Sequence, residues 1–119
     1  VFIYSDSDDL ASHHLSDHIP RDVATDRYHQ LMSVQSGISA ENNRKYIGKS
    51  VKVLVEEFLE NELFAGRTNF QAPEVDGTSY INTSQSNLDL KIGCFADMRV
   101  TDAMEYDLMA EAVLMKLLF

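Results

Sequence analysis

The chain has 119 residues, of which 45% are hydrophobic and 24% charged, a composition that excludes a wholly disordered chain and fits one small domain. Lys and Arg number 10 against 19 Asp and Glu, so the formal net charge is -9 and the surface repels nucleic-acid phosphates. Cys94 is the single cysteine, which excludes an internal disulfide and a cysteine-rich zinc or iron–sulfur site built from this chain alone. With no signal-peptide pattern and no run of roughly 20 apolar residues, we expect a cytoplasmic protein with no membrane partner.

The chain opens with Val1–Ser5, whose apolar residues predict a buried strand. Because a strand needs neighbours to pair with, we expect residues 1–19 to be the end of a larger upstream domain. His13, His14 and His18 follow, and the spacing of four between the last two would place both on one face of a helix. Such spacing is a weak signal, so we interpret them as structural or solvated histidines and predict no metal site.

A long helix is predicted from Pro20 to about Lys45, because proline suits a first helical turn and nothing breaks the pattern before Gly37. Gly48 is a natural stop. Apolar residues at spacings of three and four give the helix one apolar face, formed by Val23, Leu31, Val34 and Ile38. Residues 20–47 are therefore expected to form a connecting helix that packs on its neighbours.

After Gly48 the apolar period becomes two, which predicts strands and no longer a helix. Five short segments alternate in this way, near Val51–Val55, Leu63–Arg67, Thr78–Ile81, Cys94–Thr101 and Tyr106–Ala112. Glu60–Glu62 and Asp76-Gly77 read as turns between them. The sequence thus predicts a mainly β fold, with a small five-stranded OB-like antiparallel β-barrel over residues 48–119.

Candidate chemistry is sparse in this chain. The adjacent acids Asp8-Asp9 and Glu56-Glu57 point apart on any regular element, so we interpret them as solvated surface residues. No glycine-rich phosphate loop and no nucleophile elbow are present, and no catalytic residue is predicted. The apolar segment Val113–Phe119 is expected to be a short buried tail, with docking on another domain or subunit as the alternative.

Two sets of motifs carry a family resemblance. Gly48-Lys49, Val53–Glu56, Gly66-Arg67-Thr68 and Gly93 resemble the TRAM domain, the small β-barrel that ends the MiaB-like radical-SAM methylthiotransferases. Ala-Pro-Glu-Val-Asp-Gly at 72–77 and Glu-Tyr-Asp-Leu at 105–108 are similar to the branch that modifies a ribosomal protein, whereas the tRNA-modifying branch typically lacks that loop. Upstream, positions between Phe2 and Ser39 match the last strand of the radical-SAM domain and its connecting helix.

By this resemblance, the parent protein methylthiolates the β-carbon of an aspartate in a small-subunit ribosomal protein. It would use S-adenosylmethionine and two 4Fe-4S clusters held by upstream domains, with no cofactor on this chain. The chain departs from the family after Tyr4-Ser5, where Asp6–Leu10 replaces a Glu-Glu-Gly-Thr-like stretch, so any role of that turn is not carried over.

Five charged residues are expected to contact the target: Arg67, Glu74, Asp76, Glu105 and Asp107. Arg67 is also expected to reach Glu74 or Asp76, which would brace the loop between them. From residue 48 onward six cations stand against twelve acids, a net charge of -6, and the aromatic residues are not interleaved with Lys and Arg.

That balance favours a basic small-subunit ribosomal protein as partner and makes RNA less favoured. The upstream radical-SAM domain is the other expected partner. Two alternatives stay open: the tRNA-binding barrel of a tRNA methylthiotransferase, and a non-enzymatic adaptor barrel.

Overall fold

The computed structural model describes residues 1–72, 76–86 and 88–116, with side chains described as far as Val113. One helix, α1 (Arg21–Arg44), precedes five strands: β1 (Ser50–Glu60), β2 (Leu63–Thr68), β3 (Ser79–Asn82), β4 (Phe95–Ala103) and β5 (Leu108–Lys116). A short 3-10 turn covers Ala11–His14. Over these ranges no helix has both the length and the apolar content needed to cross a membrane. The predicted helix and the five predicted strands are confirmed.

The chain divides into two compact units, residues 1–37 and 38–119. In the first unit the predicted strand at Val1–Ser5 is wrong, because this segment has no regular secondary structure and Phe2 is almost fully exposed. A strand is held by hydrogen bonds to a neighbouring strand, and no strand in the described part of the chain pairs with this segment. The domain boundaries at 19/20 and 47/48 stay predictions.

The apolar stripe of α1 is not buried as expected. Leu31 and Val34, in the first unit, and Ile38, in the second, are each about half exposed or more. The helix is therefore defined by its backbone hydrogen bonds and local bonds, such as Thr25 Oγ1 donating to the Arg21 carbonyl at 2.8 Å, and not by a covered apolar face.

The five strands close into a barrel in the order β1-β2-β3-β5-β4, with β4 returning to β1. Four of the pairings are antiparallel, but β3 and β5 run parallel, so the expectation of a wholly antiparallel barrel is wrong at this seam. The loop from β3 and the β4–β5 connection bring β5 back beside β3, where Ser79 pairs with Leu108 and Asn82 with Glu111.

Alternation along the strands builds the barrel core, as the sequence predicts. The buried apolar side chains are Val53 and Val55 of β1, Phe64 of β2, Ile81 of β3, Ala96, Met98 and Val100 of β4, and Leu108, Ala110 and Ala112 of β5, with Leu90 from the connection. Cys94 precedes β4 and is half-buried. The expected burial of the tail stays a prediction: Val113 is exposed, and residues 117–119 lie outside the described residues.

Two local features fix the β1–β2 hairpin. The predicted turn is confirmed, since Asn61 and Glu62 connect the strands with φ of 46° and 64°, the pair of positive values that a two-residue hairpin turn favours. A register shift lies between Val55 and Glu57, so Glu56 is the extra residue of a β-bulge.

Candidate functional site

A groove of about 780 Å³ lies on the outside of the barrel, where β1 and β2 meet the loop that leaves β2. Its lining combines half-buried apolar side chains with aromatic rings and polar loop residues: Val51, Lys52, Leu54, Arg67, Thr68, Asn69, Phe70, Gln71, Ala72, Asp76 and Phe95. Its volume falls in the range of binding sites in proteins. It also brings together two predicted target contacts, Arg67 and Asp76.

Arg67 is paired with Glu56, which is not among the five residues expected to contact the target. Its Nε lies 2.6 Å from Oε1 of Glu56, the bulge residue of β1. The expected ion pair with Asp76 is not formed in the described structure, and Glu74, the other expected partner, lies outside the described residues. The physical reason is register: Arg67 stands opposite Leu54, which places Glu56 diagonally across from it on the same face.

Two lysines lie close to aromatic rings, and two aromatic rings stack on each other. Lys52 lies 5.9 Å from the centroid of the Phe95 ring, across the β1–β4 pairing. Tyr46 stacks on Phe70 with centroids 4.5 Å apart and planes 15° apart, and Lys49 lies 6.0 Å from the Tyr46 ring. The order of residues in the sequence does not indicate the Lys52–Phe95 contact, which the pairing of β1 with β4 brings about.

Gln71 organises the loop that leaves β2. Its Oε1 accepts hydrogen bonds from the Thr68 backbone N–H at 3.1 Å, from Thr68 Oγ1 at 3.3 Å and from Ser79 Oγ at 2.8 Å. The side chain is buried, and its Nε2 has no hydrogen-bond partner among the described residues. Gln71 belongs to a stretch that the sequence marks as a loop, but no spacing signal identifies its role, which depends on the position of β3.

Asp76 and Asp107 lie on neighbouring segments, and the carboxylate of each accepts a hydrogen bond from a backbone N–H group. Asp76 Oδ2 accepts from Ala72 N–H at 2.7 Å, and Asp107 Oδ1 accepts from Thr78 N–H at 2.8 Å. Glu105 is exposed, and its carbonyl lies 3.4 Å from the side-chain amide of Asn43. The structure thus brings Asp76, Glu105 and Asp107 to one end of the barrel; their contact with a target stays a prediction.

Two histidines of the first unit, His13 and His18, lie close to one carboxylate. Asp6 Oδ2 lies 2.8 Å from Nδ1 of His13 and 3.9 Å from Nδ1 of His18, and Tyr4 OH donates to Oδ1 at 2.9 Å. The hydrogen bond with His13 is the largest cause that lowers the pKa of Asp6 below its ordinary value. Over the described ranges no group of three or more His, Cys, Asp or Glu is arranged to hold a metal ion.

Comparison with known proteins gives consistent matches. Residues 47–113 match the TRAM domain family. The chain is 40% identical over 110 residues to "Ribosomal protein uS12 methylthiotransferase RimO" of Aquifex aeolicus, covering 91% of this chain and 25% of that protein. A protein of the same name from Clostridioides difficile is 38% identical over 95% of this chain, and one from Syntrophotalea carbinolica is 40% identical over 95%. The chain spans about a quarter of the length of these relatives.

Proposed function

Because the chain belongs to the TRAM-domain family, we propose that it is the target-recognition part of a radical-SAM methylthiotransferase, which modifies the β-carbon of an aspartate in a small-subunit ribosomal protein, in the cytoplasm. The observation that carries the proposal is the extent of the similarity. Relatives named for modifying ribosomal protein uS12 match over 91% of this chain or more, helix and barrel together.

The chemistry of the reaction would lie outside this chain. An iron–sulfur cluster is held by several cysteine thiolates, and this chain has one cysteine, half-buried beside β4. The residues here therefore do not fit either 4Fe-4S cluster, and the S-adenosylmethionine that the family uses would be bound with them in the remaining three quarters of the protein. The task of this chain is to bind and orient the target.

Charge supports a basic protein as that target. The barrel carries twelve acids against six cations, and several acids stand exposed at its ends: Glu57, Glu60 and Glu62 at the β1–β2 hairpin, and Asp102 and Glu105 before β5. Such a surface attracts a partner rich in Lys and Arg, raising the association rate and fixing orientation more than final affinity. The same charges oppose a phosphate backbone.

RNA is the second candidate partner, favoured by one specific observation. The stacked pair Tyr46–Phe70 and the Lys52–Phe95 contact give the barrel aromatic rings accompanied by ammonium groups, an arrangement that suits stacked bases and nearby phosphates. A tRNA-binding barrel would use this surface. The net charge of -6 opposes it, so we rank it second.

The two candidates are separated by charge reversal in the full-length protein. We expect Glu74→Lys with Glu105→Lys to weaken binding to purified ribosomal protein uS12 about tenfold at low salt, with the difference shrinking as salt is raised. Glu41→Lys, the same charge change on α1, is the control and should have a smaller effect. If the barrel serves RNA, the double reversal strengthens tRNA binding and uS12 is not bound at all. Uniform binding across salt and variants would contradict the acidic docking surface.

A further inference from the structure

The groove on β1 and β2 has several apolar residues in its lining. Val51, Leu54 and Phe95 form half-buried parts of its lining, and Phe70 is 38% exposed at its wall. Its charged members largely offset one another, since Arg67 is paired with Glu56 and Asp76 balances Lys52. A ligand held here would gain from apolar contact and hydrogen bonding more than from charge.

The lining also contains an unused hydrogen-bond donor. Gln71 is 6% exposed, and its Oε1 accepts three hydrogen bonds while its buried Nε2 has no partner among the described residues. The orientation of the amide is fixed, because the Thr68 backbone N–H can donate only to the oxygen. A buried donor without an acceptor is unfavourable and uncommon, so an acceptor that reached Nε2 on binding would stabilise this side chain.

We infer that this groove takes an extended basic segment of the protein partner, with an apolar side chain against Phe70 and Phe95 and a main-chain carbonyl that accepts from Gln71 Nε2. The inference rests on the proposed function and deepens it. The apolar anchor explains the aromatic wall, the carbonyl satisfies the orphaned amide, and Lys or Arg residues flanking the anchor meet the acids of the barrel. A neutral amide donor in an apolar lining matches a peptide carbonyl better than a phosphate.

Two variants test the two halves of this assignment. Gln71→Glu keeps an acceptor for Thr68 and Ser79 but removes the donor, and Phe70→Ser removes the exposed ring. Each is expected to weaken binding of the full-length protein to purified uS12 about tenfold at pH 8. Two controls match them: Ser79→Ala removes a bond to Oε1 without touching Nε2, and Phe58→Ser removes an aromatic ring that is 51% exposed outside the groove. Both controls should bind within about twofold of the parent protein.

A second measurement covers the case in which a variant does not fold. In the unaltered protein, titration with uS12 should shift the side-chain NH2 resonances of Gln71, because Nε2 acquires an acceptor. Unshifted resonances at saturating uS12, or folded variants that bind as tightly as the parent, overturn the inference while charge reversal at Glu105 still tests the proposed function. If the parent protein does not bind uS12, the proposed function fails first. A shift produced by tRNA and not by uS12 also overturns the inference.

Discussion

Gly77 lies directly against the backbone carbonyl of Tyr106, so close that a Cβ placed on Gly77 would stand 1.7 Å from that oxygen. The contact is reinforced next to it, where Asp107 accepts from the Thr78 N–H at 2.8 Å and the Leu108 N–H donates to the Thr78 carbonyl at 3.0 Å. The loop that ends in Asp76-Gly77 and the segment that begins β5 are thus one structural joint. Gly77 ends one of the two motifs quoted above for the family resemblance, and Tyr106 lies in the other.

The joint gives the first prediction. Gly77→Ala should destabilise the protein by about 1–3 kcal/mol, because the added methyl group meets the backbone carbonyl of Tyr106, which cannot move aside as a flexible side chain can. Gly37→Ala is the matched control: it lies within α1 with no atom within 4 Å of the added carbon, so it should stabilise the helix by up to about 1 kcal/mol. Urea unfolding followed by circular dichroism checks both; two variants that shift the same way contradict this account.

The ion pair between Arg67 and Glu56 gives the second prediction. Both side chains are about a third exposed or more, so Arg67→Ala is expected to change the free energy of unfolding through this pair by less than about 1 kcal/mol. A double-mutant cycle with Glu56→Ala should give a coupling energy of about 0.2–1 kcal/mol. The corresponding cycle with Asp76→Ala should give a coupling near zero. A larger coupling to Asp76 than to Glu56 would restore the loop-bracing role that the sequence suggested.

The third prediction compares an isoleucine in the barrel core with one on the barrel surface. Ile81 of β3 is fully buried, and Ile81→Ala should cost about 2–5 kcal/mol through lost burial and the cavity that remains. Ile92 is 60% exposed, and the same substitution there should change the free energy of unfolding by about 0.5 kcal/mol or less. Equal losses at the two sites, measured by denaturant unfolding, would contradict the described core.

The exposed carboxylate of Asp6 gives a pH prediction. The hydrogen bond with His13 lowers the pKa of Asp6 below 3.8, its ordinary value. A carboxyl group whose pKa is lower in the folded state favours folding above its ordinary pKa, and that contribution disappears as the pH falls through the folded value. An NMR titration of the Asp6 carboxyl carbon should therefore show its midpoint below 3.8, and His13→Ala should raise it. His14→Ala, which removes a neighbouring ring that does not contact Asp6 through any described hydrogen bond, should not.

The barrel could be predicted because burial follows from the sequence alone. Met98 and Val100 alternate with polar residues, and a period of two places them inside whatever their partner strand is. Val1–Ser5 is similarly apolar, but the strand predicted there is wrong, because a strand also needs a neighbouring strand to pair with. The parallel β3–β5 seam escaped prediction for a related reason: alternation assigns faces to a strand but not its neighbours or their direction.

The site was less predictable than the fold. The pairing of Arg67 with Glu56 depends on the register between β1 and β2, which places Arg67 opposite Leu54 and which the local pattern does not indicate. Lys52 and Phe95 are distant in the sequence and adjacent only because β1 pairs with β4. Gln71 gains its role from Ser79 on another strand. Each of these contacts is set by strand pairing, which is the level that one sequence specifies most weakly.

The order of strands around the barrel also governs how the ring can be made. The strand β5 is inserted between β3 and β4, so it supplies two of the five pairings, and it is the last of the five to leave the ribosome. Until residues 108–116 emerge, β3 and β4 each have a bare edge and the core is open. Closure then pairs β3 with β5, segments about 30 residues apart, and pairing of distant segments slows folding. A nascent chain halted before β5 would therefore expose the unpaired edges of β3 and β4. We expect this barrel to become resistant to protease only after its final strand has been synthesised.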